Sequence, residues 1–340
     1  MSRRRRGAVV AVGAVVVAVA AFGCGFVQMP GRSHQGALAA LDDGSSAVRD
    51  QLGADIEALA VDIGPRHHED ARAALDRAAA FVRTRFTALG YSVVTRAFVV
   101  DTAAGAVPFE NLEVEIAGST QADEIVIVGA HYDTAYGTPG ANDNASGVAV
   151  LFALAEALRG SKPERTVRFV AFANEEPPYF NTPDMGSVRY ARGVKARGER
   201  VVAMLSLETL GCYFDDKDSQ KYPFPFGLLY PSEGNFVGFV SDMSSVSLTR
   251  RVVGSFRAHA AFPSEGAAIP GFIPGVYWSD HASFWAIGVP AVMVTDTAPF
   301  RYVHYHEPSD VPARVDLDRL ARVTQGLVGV VDDLCRGPLF

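Results

Sequence analysis

Cysteine is scarce in this sequence, three residues in 340, and no two stand at Cys-x-x-Cys spacing. That leaves no cysteine-based zinc module. Cys212 and Cys335 lie too far apart in sequence to argue for a disulfide. Positive charge is short as well: with 20% charged residues and a net charge of −7, the chain lacks the basic face of a nucleic-acid binder. No Gly-x-Ser-x-Gly elbow occurs, so Ser279-Asp280-His281 is not part of a serine-hydrolase triad. Internal repeats and low-complexity blocks are absent too.

What is present is apolar material, 49% of the residues, enough for a large core. The length suits one large domain or two modest ones. The one basic cluster, Arg3 to Arg6, precedes an apolar run from Ala8 to Val27. A charged start followed by an apolar stretch is the pattern of a secretory signal, and the run is also long enough to span a bilayer. Residues 1–28 are therefore expected to be a signal peptide or N-terminal membrane anchor, with the arginines on the cytoplasmic side. Cys24 follows Ala21-Phe22-Gly23, a loose lipoprotein box without the usual leucine, so lipidation is an alternative fate. Each alternative puts the rest of the chain outside the cytoplasm, attached to or released from the membrane. Residues 29–44 are aperiodic and expected to be a linker; residues 45–340 are expected to form one domain.

Within that domain the spacing predicts helices over Ser45–Ile63, ended by Gly64-Pro65, and Ala71–Leu89, capped by Gly90. Strands are expected at Val93–Val100, Asn111–Ile116, Glu124–Gly129, Thr166–Phe172, Val201–Leu207, Gly227–Tyr230 and Ala291–Thr295. Helices are expected at Val148–Leu158, Ser187–Ala196, Asn235–Ser245, Ser247–Ala260, Ala282–Ile287 and Leu317–Leu334. Strands alternating with helices imply an α/β fold, a largely parallel sheet covered on both faces.

Ligands of such sheets bind beyond the carboxyl ends of the strands, and there the acids and histidines fall. Glu124–Gly129 runs into His131-Tyr132-Asp133, Thr166–Phe172 into Asn174-Glu175-Glu176, and Val201–Leu207 into Glu208. Ala291–Thr295 leads to His304-Tyr305-His306, and Asp143 precedes a helix. Converging histidines and carboxylates are what two-zinc chemistry needs. Ser279 or Asp280 is expected either to cap the helix that follows or to line the pocket. His67 and His68 are expected at the surface or entrance, and Phe214 to Pro225 as one pocket wall.

Four segments in order, Gly129-Ala130-His131-Tyr132-Asp133-Thr134, Gly140 to Gly147, Asn174-Glu175-Glu176 and Tyr305 to Asp310, resemble the M28 zinc aminopeptidases over roughly residues 45–335. The resemblance implies a three-layer α/β/α fold with a central mixed, largely parallel sheet, of the zinc-dependent exopeptidase type. It implies two zinc ions per chain and peptide substrates. His131 matches a ligand of the first zinc, Asp133 the acid that orients it, Asp143 the bridging carboxylate, and Glu176 and His306 the ligands of the second zinc. Glu208 matches the remaining acid ligand of the first zinc, where the family more often has Asp. Glu175 matches the general base, and Tyr305 a tyrosine that hydrogen-bonds the oxyanion. Pro177-Pro178 depart from the family pattern, which leaves substrate preference open. Two other readings remain: a glutaminyl cyclase-like acyltransferase with one zinc, and a non-catalytic peptidase-like ectodomain.

Overall fold

A computed structural model describes residues 27–102 and 105–338. The expected signal or anchor, with Arg3–Arg6 and Cys24, lies outside the described residues except for its last two positions. Among the described residues no helix is long and apolar enough to cross a membrane. The stretch expected as a linker has no helix or strand before Asp43. It is nonetheless held along its length: Met29, Leu38 and Leu41 pack against the core, and Arg257 donates to the carbonyls of Met29, Pro30 and Gly31.

Helix α1 (Asp43–Glu57) starts at Asp42, whose carboxylate accepts from Ser45 N, an N-cap that satisfies a free backbone donor. It widens into a π-helical stretch over Ala58–Ile63 and stops at Gly64, where φ is +80°. Helix α2 (Arg72–Ala88) and the hairpin β1 (Val94–Thr102) and β2 (Gly105–Ile116) follow. Next come β3 (Gln121–His131), α3 (Gly147–Leu158), β4 (Arg165–Phe172), α4 (Gly186–Ala196) and β5 (Arg200–Glu208). The chain ends with β6 (Val237–Ser241), α5 (Val246–His259), β7 (Ser264–Ala268), α6 (His281–Trp285), β8 (Ala291–Thr295) and α7 (Leu317–Cys335).

The eight strands form one sheet in the order β1-β2-β4-β3-β5-β8-β6-β7. The central four, β4, β3, β5 and β8, are mutually parallel, so their carboxyl ends share one edge. One face packs on α1, α2, α3, α5 and α7, and the other on α4 and α6. This is the expected three-layer α/β/α arrangement with a mixed, largely parallel sheet. Helix α7 shows the driving force: Leu320, Val323, Leu327, Val330, Val331 and Leu334 are all buried, each worth about 1.5–3 kcal/mol of apolar transfer.

Three local expectations are corrected. Asn235–Ser245 contains strand β6 rather than a helix: Val237 and Phe239 face the helical layer while Gly238 and Val240 face the other side, a period of two that pairing with β7 and β8 enforces. Gly227–Tyr230 is not a strand. The chain there makes a 3-10 turn at Phe226–Leu228, with Leu228 80% and Leu229 58% exposed, so there is no sheet for these apolar residues to join. Strand β7 was not anticipated because Ser-Glu-Gly-Ala-Ala has low β-propensity. Cys212 and Cys335 are buried and unpaired.

Candidate metal centre

Four of the chemically active side chains sit where a central strand ends, and Asp143 and His306 stand in loops beyond β3 and β8. His131 is the last residue of β3 and Glu208 the last of β5. Glu175 and Glu176 follow β4, turned inward by Asn174 at φ +56°. Thr209, just after Glu208, and His306 also have positive φ, +47° and +60°. Non-glycine residues in this region are strained, and such strain concentrates at functional sites. Gly140, at φ +60°, begins the loop that carries Asp143; a Cβ there would meet Asp143 O at 2.2 Å, so only glycine allows the loop to fold back so tightly.

The side chains converge on Asp143. On one side, His131 Nε2 lies 3.3 Å from Asp143 Oδ1 and 3.4 Å from Glu208 Oε2. On the other, His306 Nε2 lies 3.1 Å from Asp143 Oδ2 and 3.3 Å from Glu176 Oε2. His131, Asp143 and Glu208 form one group able to hold a metal ion; Asp143, Glu176 and His306 form a second, with ligand atoms within 4.8 Å of one another in each. Glu175 Oε2 stands 4.0 Å from His131 Nε2 and completes a third grouping with His131 and Glu176. His306 remains 35% exposed at the mouth while the others are buried. The structure therefore brings together all five expected ligands and Glu175. His304 points elsewhere, to Ser309 Oγ at 2.8 Å.

The polar atoms of this cluster test its fit to a cation. Both ring nitrogens of His131, both carboxylate oxygens of Asp143 and Oε1 of Glu176 are buried and hydrogen-bond to no described residue. Buried polar atoms are seldom left so, and a nitrogen and oxygen donor set of this kind suits zinc. The electrostatics agree. Burial pushes Glu176 up to about 8, with Asp143 adding to the shift. Burial also raises Glu175 well above the carboxylate range, reinforced by Glu176 and Glu208 against the opposing His131. Burial alone would lower the His131 imidazole, but Glu208, Glu175, Asp133 and Asp143 outweigh it and push it up. Crowded acids in a dry site disfavour their own ionisation, and a cation relieves that.

Asp133 does more than the sequence suggested. Its Oδ1 is 3.5 Å from His131 Nδ1, as expected of an orienting acid, and its two oxygens also accept from the backbone N–H groups of Glu175 and Glu176, both at 3.1 Å. One carboxylate thus sets the placement of two neighbouring strand ends. Asp310, which closes the last motif, accepts from Asn142 N at 2.9 Å and Asp143 N at 3.0 Å. Ser279 Oγ donates to Glu208 Oε2 at 2.7 Å. Of the two roles expected for Ser279-Asp280-His281, no side-chain cap of α6 is formed; Ser279 instead supports Glu208.

Arg66 was not anticipated. It is completely buried and donates to the carbonyls of Leu59, Gly64, Tyr132, Pro139 and Gly140. These carbonyls belong to the segments that carry His131, Asp133 and Asp143. A lone arginine in Gly-Pro-Arg-His-His gives no periodic signal; only the many carbonyls it gathers reveal its part. The neighbouring histidines correct another expectation. His67 is buried, its Nε2 2.9 Å from Pro177 O, and His68 packs on Tyr179 with ring centroids 4.4 Å apart. Together they buttress the Pro177-Pro178 loop from inside.

Tyr305 stacks on His306, ring centroids 3.9 Å apart and 19° from coplanar. With Glu208 it also borders an apolar cavity of about 110 Å³. Gln220, Tyr222 and Pro223 line that cavity, so part of Phe214 to Pro225 does form a wall.

Comparisons with known proteins bear on this site. Residues 111–331 match the model of peptidase family M28. The chain is 35% identical over 264 residues to the uncharacterized protein YfbL of Escherichia coli (strain K12), covering 75% of this chain and 79% of that protein. It is 27% identical over 231 residues to leucine aminopeptidase 1 of Arthroderma otae, covering 63% of this chain but only 55% of that protein. Among solved structures, the zinc aminopeptidase BSAP from Bacillus subtilis shares the fold, with TM-score 0.64, 16% identity, and 85% and 95% of the two chains covered. The glutaminyl cyclase of Fimbriiglobus ruber shares it too, with TM-score 0.61, 21% identity, and 88% and 97% covered.

Proposed function

From the premise that this chain belongs to peptidase family M28, we propose that it is a metallo-exopeptidase releasing residues from peptide N-termini, in which His131, Asp143, Glu176, Glu208 and His306 would hold two zinc ions. The observation that carries this reading is the symmetry about Asp143: one oxygen faces His131 and Glu208, the other His306 and Glu176. Zinc, when bound, polarises the scissile carbonyl and makes water more acidic.

The remaining steps belong to the side chains. Glu175 lies beside both ligand groups without belonging to either, and burial raises the proton affinity of its carboxylate, which suits the ionised form to accept a proton. It takes a proton from the attacking water as the new C–O bond forms, then delivers it to the amine as the C–N bond breaks. Tyr305, stacked on His306, donates to the carbonyl oxygen as it gains negative charge. Asp133 keeps Glu175 and Glu176 in place through their backbone N–H groups and stands 3.5 Å from His131 Nδ1, on the side from which it can orient the ring. The basic cluster and apolar run of residues 1–28 support an extracytoplasmic site of action, by secretion or anchoring.

The rival reading is a glutaminyl cyclase-like acyltransferase working with one zinc. The complete group of His131, Asp143 and Glu208 beside that of Glu176 and His306 supports hydrolysis instead. The test is zinc content and activity on one preparation of residues 29–340, which keeps the N-terminal stretch packed on the core, assayed on aminoacyl chromogenic substrates with and without chelator. About two zincs per chain and chelator-sensitive release of N-terminal residues are expected. One zinc with cyclisation of N-terminal glutamine would replace the proposal with the cyclase. Neither metal nor turnover would leave a binding ectodomain.

A further inference from the structure

The cavity bordered by Glu208 and Tyr305 runs away from the metal centre across the sheet. Its floor is a row of residues in register: Glu208 pairs with Thr295, Thr295 with Gly238, and Gly238 with Glu265. All four line the cavity. At about 4.8 Å per strand, Glu265 stands about 14 Å from Glu208 along this row. Gly238 keeps the middle of the floor low, since any side chain there would project into the cavity. A Cβ on the next residue of β7, Gly266, would meet Met29 and Val253 on the opposite face, so Glu265 points inward.

The walls are apolar and aromatic. Tyr222 and Tyr230 stack with centroids 5.7 Å apart, and Trp278 lies against Phe300 across the mouth. Both tyrosine hydroxyls are engaged elsewhere, donating to Pro231 O and Gly266 O. Glu265 therefore brings a carboxylate to the far end of a largely apolar chamber, away from Glu208. Its nearest cation, Arg257, stands 4.0 Å away, beyond hydrogen-bonding distance, and directs its donors to Ser264 and to the carbonyls of Met29, Pro30 and Gly31. A carboxylate at the end of an apolar, aromatic chamber matches a side chain with an aliphatic stem and a cationic head; tyrosine faces beside it add cation–π attraction.

We propose that this chamber receives the side chain of the substrate's N-terminal residue and selects lysine or arginine, the stem lying along the apolar walls and the cationic head meeting Glu265. The assignment rests on the exopeptidase reading above, and the experiment separates the two. Zinc-loaded protein is assayed on lysyl-, arginyl-, leucyl- and methionyl-p-nitroanilides. kcat/KM is expected to favour the basic substrates by about tenfold or more, the size of one unmatched charge contact. Glu265→Gln should erase that preference by lowering kcat/KM for the lysyl and arginyl substrates, and Glu265→Leu should favour the leucyl and methionyl substrates, which also shows that the variant folds. Occupancy is read without turnover through Trp278 fluorescence on titration with argininamide or leucinamide. A saturable argininamide response that weakens about tenfold or more in Glu265→Gln supports the chamber assignment even if no peptide is cleaved, a result that would sink the exopeptidase reading alone. Leucyl substrates cleaved as well as basic ones, or an argininamide response unchanged in Glu265→Gln, would overturn the assignment and leave the exopeptidase reading standing.

Discussion

Arg66→Met offers the sharpest test of how the centre is held. The guanidinium is fully buried and serves five carbonyls, at distances from 2.6 Å to Pro139 O to 3.3 Å to Gly64 O. Methionine fills much of the stem's volume but donates nothing. Each carbonyl left without a partner costs about 1–3 kcal/mol; relaxation and entering water reduce the sum, so about 3–5 kcal/mol is expected, the scale of a broken buried ionic contact. The sign is not in doubt from charge either. Asp310, Asp133, Asp143 and Glu176 all favour the Arg66 cation, so its loss leaves the acids more crowded. At about 2–3 °C per kcal/mol for a chain of this size, melting should fall by about 6–15 °C. Arg66→Lys keeps the charge but loses the fork, and should fall roughly half as far. Differential scanning calorimetry on chelator-treated protein reads both. A melting point within about 2 °C of the parent in Arg66→Met would refute the view that this one cation braces the ligand-bearing loops.

Further expectations follow from the same geometry. Glu175→Gln should keep fold and zinc but lower kcat by about 10²-fold or more; retained turnover would remove Glu175 from the proton transfers. Ser279→Ala should weaken zinc binding about 10–100-fold by releasing Glu208, and competition against a chromogenic chelator checks it. Gly147→Ala would place a Cβ 2.7 Å from Leu207 O and 2.3 Å from Asn144 Oδ1, so urea denaturation should show a loss of about 1–3 kcal/mol. Burial raises Asp296 from its ordinary 3.8 to about 6. The folded state then holds its proton more tightly, so this contribution is full below about pH 4 and is lost as pH rises to 6, up to about 3 kcal/mol in all. The urea midpoint of metal-free protein should carry this falling component between those values, and Asp296→Asn should remove it; parallel profiles would refute the assignment.

The alternation of apolar strands with helices was enough to read the three layers, because each buried strand is a short apolar run and each helix repeats at three or four residues. The ligands could be read for a related reason. In a parallel sheet the carboxyl ends of neighbouring strands meet at one edge, so acids and histidines placed just after such runs must come together. That made the convergence of His131, Glu175, Glu176 and Glu208 legible before any coordinates, while Asp143 and His306, in loops beyond β3 and β8, were read from their resemblance to the M28 motifs. Other parts had no linear pattern to show. The strand Ser264–Ala268 has weak local preference and exists because β6 offers it hydrogen bonds. Gly227–Tyr230 had apolar residues but no sheet to join. Arg66 braces carbonyls from Leu59 to Gly140, and Asp133 ties the backbone of Glu175 and Glu176. Neither role has a spacing, because hydrogen bonds to backbone carbonyls and amides read geometry rather than residue type. The same holds for the chamber: Glu208 and Glu265 are 57 positions apart in sequence and come into one row only through pairing of β5, β8, β6 and β7. Local periodicity and strand-end chemistry thus determined the fold class and, with the motif resemblance, the candidate ligands, whereas tertiary pairing decided what braces those residues and what the cavity beside them can hold.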